Sequence, residues 1–343
     1  MGFPTLACPI VLAPMAGGPN TPALAAAVAN AGGVGSFGFA YATPERIAAD
    51  LAATRALTNG PLNANFFVFG PVAPPAAELA ARAIAALATL PGAAGLALAA
   101  PVPPYFPDLA AQLEPVWRLR PEILTFHFGL PPAGVIERAH SLGISVGVTA
   151  TRASEARAIA AAGSDFVVAQ GAEAGGHCGV FTPGEPGTWL PVRELVRSLA
   201  PVTDLPLVAA GGLMSGADIR AVLDAGAEAA QLGTAFLAAT ESGASAAHRR
   251  YLLTEGARGT ALTRAFSGRY ARGIRNTFIE RMEGAEVLPF PLQNSLTGPL
   301  RKAAVEHDDG ELQSLWAGAH YARCRGGSAR ELVRRLLAEL DAA

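Results

Sequence analysis

The sequence predicts an α/β fold, a (β/α)8 TIM barrel with a mainly helical second domain or lid formed by insertions. Three observations predict it. Eight short apolar runs, each ending in small or polar residues, alternate with alanine-rich helical stretches, the pattern of parallel strands joined by crossover helices. Several of those stretches close in Ala-Gly or Leu-Gly just before the next run. The 343 residues also exceed the roughly 250 that such a barrel needs, which leaves room for additions.

In chain order the strands are read at Pro9–Met15, Gly33–Phe37, Pro61–Val68, Ile123–Phe128, Ser145–Ala150, Phe166–Gly171, Leu205–Gly212 and Ala229–Phe236. None alternates strictly, as expected of strands buried on both faces. Helices are punctuated at both ends. Thr43 followed by Pro44, and Ser215 three residues before Asp218, mark helix starts, because a hydroxyl caps free N–H groups and proline is tolerated at the first helical position. Gly32, Gly143, Gly163 and Gly226 sit where a helix closes in a left-handed turn.

Two stretches break the repeat, from Gly70 to about Leu119 and after about Ala238. The organisation is therefore read as barrel over 1–70 and 120–238, an insertion contributing to a lid over 71–119, a substrate-side lid domain over 239–325, and a C-terminal helix over 326–343. That last helix carries a capping box, Ser328 with Glu331, and an apolar stripe of Leu332, Val333, Leu336, Leu337 and Leu340.

Composition narrows the function. With 51% hydrophobic and 16% charged residues the chain is too apolar for intrinsic disorder. Its net charge of −2 with scattered basic residues leaves no electrostatic footprint for nucleic acid, so a small substrate is expected. Cys8, Cys178 and Cys324 lie far apart with no CxxC, against both a disulfide framework and a structural zinc site. The uncharged stretch Ala83–Pro107 is broken by prolines and glycines, against a membrane span. The N-terminal Met-Gly-Phe-Pro-Thr-Leu lacks the features of a secretory signal, and a cytoplasmic location is expected. Composition fixes no oligomeric state.

Reactive groups of such barrels lie at the carboxyl ends of the strands. Glycines there, Gly211-Gly212 and Gly233-Thr234, open backbone N–H groups to an anion, so a phosphate site is expected. Asn65 and Gln170 add amides that donate and accept, suited to the mixed edge of a flavin ring, and a phosphate-bearing flavin satisfies both sets. His177, after Gly175-Gly176, is placed to act as base, acid or cation. His127 also ends a strand and is expected to face the barrel interior, whereas His140, His248, His307 and His320 are expected in surface or packing roles. No metal-site spacing, nucleophile elbow or P-loop is present.

At these positions the chain resembles the FMN-dependent nitronate monooxygenases, formerly 2-nitropropane dioxygenases. The likeness runs through Ala13–Gly17, Asn30–Gly33, Asn63–Phe67, Gln170–His177, Ala210–Gly212 and Gln231–Thr234, and the runs Thr263–Arg269, Pro291–Asn294 and Leu315–Gly318 look like the bacterial class I branch. The resemblance implies that Asn65, Gln170, Gly175, Gly176, Gly211, Gly212, Gln231, Leu232, Gly233 and Thr234 hold FMN, that Pro14 and Met15 lie close to its ring, and that His177 is catalytic. It implies oxidation of alkyl nitronates, propionate 3-nitronate in particular, by molecular oxygen to a carbonyl compound and nitrite. Tyr105, Phe290 and Asn294 are expected as pocket walls from their position in the additions.

Two departures bear on the substrate: Cys178 stands where the family commonly has arginine, and Ala319 where it commonly has glutamine. The competing readings are an FMN-dependent enoyl-acyl-carrier-protein reductase, which resembles this chain in barrel, flavin site and Gly-Gly-His, and a non-catalytic barrel binding a phosphorylated ligand. The class I segments after Ala265 belong to the substrate side and tell against the reductase.

Overall fold

A computed structural model describes residues 2–343. Its strands are β1 (Ile10–Leu12), β2 (Gly35–Gly38), β3 (Leu62–Phe67), β4 (Ile123–His127), β5 (Ser145–Ala150), β6 (Phe166–Gln170), β7 (Gly176–His177), β8 (Leu207–Ala210), β9 (Ala229–Leu232), β10 (Thr260–Thr263) and β11 (Ala271–Ile274). Eight of them form one parallel sheet in the order β1-β9-β8-β6-β5-β4-β3-β2. The sheet closes on itself, because the Leu12 N–H donates to the Val34 carbonyl at 2.9 Å and the Val34 N–H to the Ile10 carbonyl at 3.0 Å. The expected barrel is present, with helices around it.

Sequence chemistry explains the local geometry. Thr43 caps the helix Pro44–Arg55, its hydroxyl accepting from the Arg46 N–H, and capping boxes start both Gly216–Leu223 and Ala329–Asp341. Gly35 lets the helix Pro22–Asn30 lie directly on β2, since a Cβ there would stand 2.3 Å from the Ala25 carbonyl oxygen. The last run read as a strand ends early. β9 stops at Leu232, and Gly233 turns the chain into a short helix, Thr234–Leu237, whose Phe236 N–H donates to the Gly233 carbonyl at 2.9 Å.

The helix Leu109–Leu119, within the stretch read as insertion, is capped by Asp108 and buries Leu113, Val116 and Trp117 in the barrel core against Pro44–Arg55. It is the crossover between β3 and β4. The helix Ala77–Ala88 instead joins a second core with residues from beyond the barrel, including Phe266, Phe278, Leu292, Leu296 and Leu300. Phe266 and Phe278 stack with ring centroids 4.0 Å apart, and an Arg82–Glu286 ion pair links the two additions.

The additions are not purely helical. β10, β11 and β7 form an antiparallel sheet in which Ala271 pairs with His177 and Arg272 with Gly176. Backbone pairing thus ties the loop after β6 to the second core. Among the described residues no helix is long and apolar enough to cross a membrane, and no cluster of three or more histidines, cysteines or carboxylates has metal-binding geometry.

Candidate active site

A cavity of about 620 Å³ opens at the carboxyl ends of the barrel strands, beneath the additions. Its volume is that of a site for a cofactor or drug-sized ligand. Pro14, Met15, Asn65, Gln170, Gly175, Gly176, His177, Gly211, Gly212, Gln231, Gly233, Thr234 and Asn294 line it. Three expected residues do not. Leu232 is buried in the barrel core and contributes a carbonyl that accepts from the Ala13 N–H at 2.8 Å. Tyr105 packs on the second core, and Phe290 stands behind the wall, its ring centroid 5.6 Å from that of His177.

At one end the wall is bare backbone. The N–H groups of Gly211, Gly212 and Gly233 donate to no protein acceptor among the described residues, and all three glycines face the cavity. Side chains are excluded here: a Cβ on Gly212, whose φ is +69°, would lie 2.7 Å from the Glu173 Cβ. Unpaired, preorganised N–H groups of this kind form a concave donor set for an anion. Thr234 braces the rim, its hydroxyl oxygen accepting from the Gly318 N–H at 3.0 Å.

Deeper in the barrel the polar groups are chained. Asn65 donates to Thr125 Oγ1 at 3.0 Å, and Thr125 donates to Asn63 Oδ1 at 2.9 Å. The Asn65 backbone carbonyl accepts from the Phe39 N–H at 2.8 Å, and the side-chain Oδ1 is left without a protein donor. Gln170 is more committed, since its amide donates to the His177 carbonyl at 3.0 Å and its Oε1 accepts from the Gly179 N–H at 2.6 Å. It pins the loop that carries His177. His127, expected to face the interior, lines the cavity, with Nε2 at 3.2 Å donating to the same His177 carbonyl and Nδ1 at 3.0 Å accepting from the Thr149 hydroxyl.

His177 stands amid aromatic rings, its centroid 5.8 Å from those of Phe67 and Phe128 and 5.5 Å from that of Trp316. Its Nε2 lies 2.9 Å from Ser267 Oγ. The single hydroxyl hydrogen of Ser267 goes to the Arg269 carbonyl at 3.1 Å, so the Ser267 oxygen accepts from His177 and the hydrogen sits on Nε2. Nδ1 is then bare, has no protein partner, and is not among the orphaned buried atoms, so it is open to the cavity. Burial pushes the His177 pKa down to about 3, helped by the positive charges of Arg269 and Arg301 and by the repulsion that a protonated His127 would add. Burial likewise holds His127 down to about 4. Both rings are neutral near pH 7.

The structure adds residues that the sequence does not place at the site. Tyr41, His248, Arg301, Lys302 and Trp316 line the cavity. His248, expected in a surface or packing role, lines the cavity. The sequence marks Phe290 and the run containing Ser267, but nothing local links Ser267 to His177. His140 is structural, its Nε2 2.7 Å from the Asp165 carboxylate, and His307 and His320 are exposed. Of the two departures, Cys178 has its thiol pKa pushed up to about 11 by burial and carries no charge, while Ala319 donates its N–H to the Glu173 carbonyl at 2.9 Å.

Comparison with known proteins matches this architecture over almost the whole chain. Residues 5–339 match the family model described as nitronate monooxygenase. The chain is 42% identical over 337 residues to a nitronate monooxygenase of Pseudomonas aeruginosa, covering 97% of this chain and 96% of that protein. It is 41% identical over 337 residues to one from Paraburkholderia phytofirmans, covering 97% and 92%. Among solved structures, nitroalkane oxidase from Streptomyces ansochromogenes superposes with a TM-score of 0.92 at 40% identity, over 98% of this chain and 97% of that one. FabK from Thermotoga maritima gives 0.76 at 25% identity, over 98% and 94%. Full-length identity of this order, on a closed barrel whose glycine rim and half-buried histidine share one cavity, places the chain in the nitronate monooxygenase family.

Proposed function

We propose that this oxidoreductase, like the flavin enzymes of its family, holds FMN in the barrel cavity and oxidises alkyl nitronates, propionate 3-nitronate among them, with molecular oxygen, giving a carbonyl compound and nitrite. The observation that carries the reading is the set of unpaired Gly211, Gly212 and Gly233 N–H groups at one end of the cavity, with the bare Nδ1 of His177 elsewhere on its wall. The first is a donor set for a phosphate. Asn65 would offer its unpaired side-chain Oδ1 to the flavin, and Pro14, Met15, Gln231 and Thr234 complete the walls.

The chemistry supplied by bound flavin is acceptance of electrons from the nitronate. This chain's own residues bind, orient and move a proton. His177, neutral with its hydrogen on Nε2, presents Nδ1 as a proton acceptor. It removes the α-proton of a neutral nitroalkane, or takes up a solvent proton when an anion binds beside it, becoming an imidazolium that holds the anion. Ser267 fixes the tautomer, and Gln170 and His127 hold the backbone of the same residue. The second core acts as a lid whose aromatic face keeps water from the reacting atoms. In the lid reading, the 71–119 and 239–325 segments, apart from the crossover helix Leu109–Leu119, cover the barrel segments 1–70 and 120–238. A cytoplasmic location suits the same reading.

The test is the visible spectrum of the purified protein followed by oxygen uptake. Bound oxidised flavin, released on denaturation as FMN, and oxygen consumption with propionate 3-nitronate are expected. A protein that cannot be loaded with flavin, or that consumes NADPH with an enoyl thioester but no oxygen with the nitronate, overturns the reading.

A further inference from the structure

We propose that His320 is a positioning residue for the phosphate end of the cavity: its ring holds the Gly212 carbonyl so that the next backbone N–H, that of Leu213, is aimed into the cavity as a fourth donor beside Gly211, Gly212 and Gly233. The proposal rests on the reading that FMN occupies the cavity and adds how its phosphate is gripped.

His320 directly precedes the short turn Tyr321–Arg323 and lies 108 residues from Gly212 in the sequence. Its Nδ1 stands 2.9 Å from the Gly212 carbonyl oxygen. A carbonyl only accepts, so Nδ1 carries the hydrogen and donates it. The contact is built from both sides. Gly212 has no side chain to hold the ring away, and a Cβ there would lie 2.9 Å from Nδ1. The backbone around His320 is pinned in turn: the Gly318 N–H donates to Thr234 Oγ1 at 3.0 Å, the Ala319 N–H to the Glu173 carbonyl at 2.9 Å, and the Arg323 N–H to the His320 carbonyl at 3.0 Å.

The consequence lies in the peptide unit between Gly212 and Leu213. It is trans, and in a planar trans peptide the C=O and N–H point in opposite directions. His320 is exposed and does not line the cavity, so the Gly212 carbonyl that it holds points away from the cavity and the Leu213 N–H points toward it. Leu213 does line the cavity, although its side chain belongs to the barrel core. Its N–H donates to no protein acceptor among the described residues.

The next two N–H groups are taken, because Met214 and Ser215 both donate to the Asp218 carboxylate at 2.9 Å. The Asp218 charge is itself met by Arg323 at 2.9 Å. Leu213 is therefore the last free donor before the helix Gly216–Leu223. A hydrogen bond to the Gly212 carbonyl also polarises the peptide and strengthens its N–H as a donor. Without that bond the conformational freedom of glycine at position 212 lets the peptide turn.

The experiment titrates the full-length protein, freed of flavin, with FMN and with riboflavin, which lacks the phosphate, and reads flavin fluorescence. The wild type is expected to bind FMN at least tenfold more tightly than riboflavin. His320→Ala is expected to weaken FMN binding about fivefold, the scale of one neutral hydrogen bond, and to leave riboflavin binding unchanged. His320→Asn, whose amide nitrogen can stand where Nδ1 does, should recover most of the loss. An FMN-preferring wild type whose His320→Ala variant binds FMN equally well, or loses FMN and riboflavin affinity alike, overturns the proposal alone, and so does a His320→Asn protein as weak as His320→Ala. A wild type that binds neither flavin, or both equally, overturns the reading of the glycine rim and the proposal with it.

Discussion

The Nε2 of His177 lies 2.9 Å from the hydroxyl oxygen of Ser267, ninety residues further along the chain. That contact joins the loop after β6 to the run between β10 and β11, and it decides which nitrogen of the imidazole faces the cavity. The β7–β11 pairing holds the two segments in register, Ala271 opposite His177.

Ser267→Ala removes the acceptor for Nε2–H. The variant is expected to lose at least tenfold in kcat with a small change in KM and to retain flavin, while Ser267→Thr recovers most of the loss. Because Ser267 is buried, leaving its former partners unsatisfied should also lower stability by about 1–3 kcal/mol. Steady-state kinetics with thermal unfolding check both. Equal activity in Ser267→Ala would release the serine from positioning the ring.

Gly212→Val is expected to abolish tight FMN binding, since its side chain crowds the Glu173 Cβ and its φ of +69° is strained for any side chain. Gly134→Ala separates the two effects. It has a similar φ of +82° and nothing within 4 Å, so it should lose about 1 kcal/mol of stability and keep its flavin. Flavin fluorescence titration of the two variants is the check, and equal affinities would place the phosphate elsewhere.

Acid should unfold the flavin-free protein early. His127, His177 and His248 have pKa values held at about 4, 3 and 4 by burial, below the usual 6.5. Below pH 6.5 the unfolded chain binds protons that the folded one refuses, so stability falls as pH drops from 6.5 toward 4. Each histidine contributes up to about 1.4 kcal/mol per pH unit. Melting temperature against pH tests this, and a flat profile between pH 6.5 and 5 would contradict it.

Phe278→Ala should show what the second core is worth. Phe278 is fully buried and stacks on Phe266, so truncation is expected to cost about 3–5 kcal/mol. Because Phe266 also meets Trp316 edge-on at 5.3 Å, KM for the nitronate should rise as well. Differential scanning calorimetry and kinetics measure the two effects.

The barrel was legible in the sequence because each strand is a local signal, a short apolar run ending in small or polar residues, and those runs fall within a few residues of the observed strands. The glycine rim and His177 were legible for the same reason, since strand ends point to one face. Ser267 was not. Its meaning comes from a contact spanning ninety residues, which leaves no local pattern. The small antiparallel sheet was missed because β7 has two residues and pairs only with a distant strand. Tyr105 was misplaced because an aromatic residue in an addition looks the same whether it packs inward, as here, or lines a cavity. His248 shows the converse: on a helix in an addition it reads as packing until the cavity wall is seen.

The most direct test compares oxygen consumption with propionate 3-nitronate by the wild-type holoenzyme and by FMN-loaded His177→Asn. The wild type should consume oxygen and release nitrite, and the variant, with flavin still bound, should turn over at least tenfold more slowly, a loss of about 1.4 kcal/mol of transition-state stabilisation. Equal rates in the two proteins, or no nitronate-dependent oxygen uptake by the flavin-loaded wild type, would contradict the account.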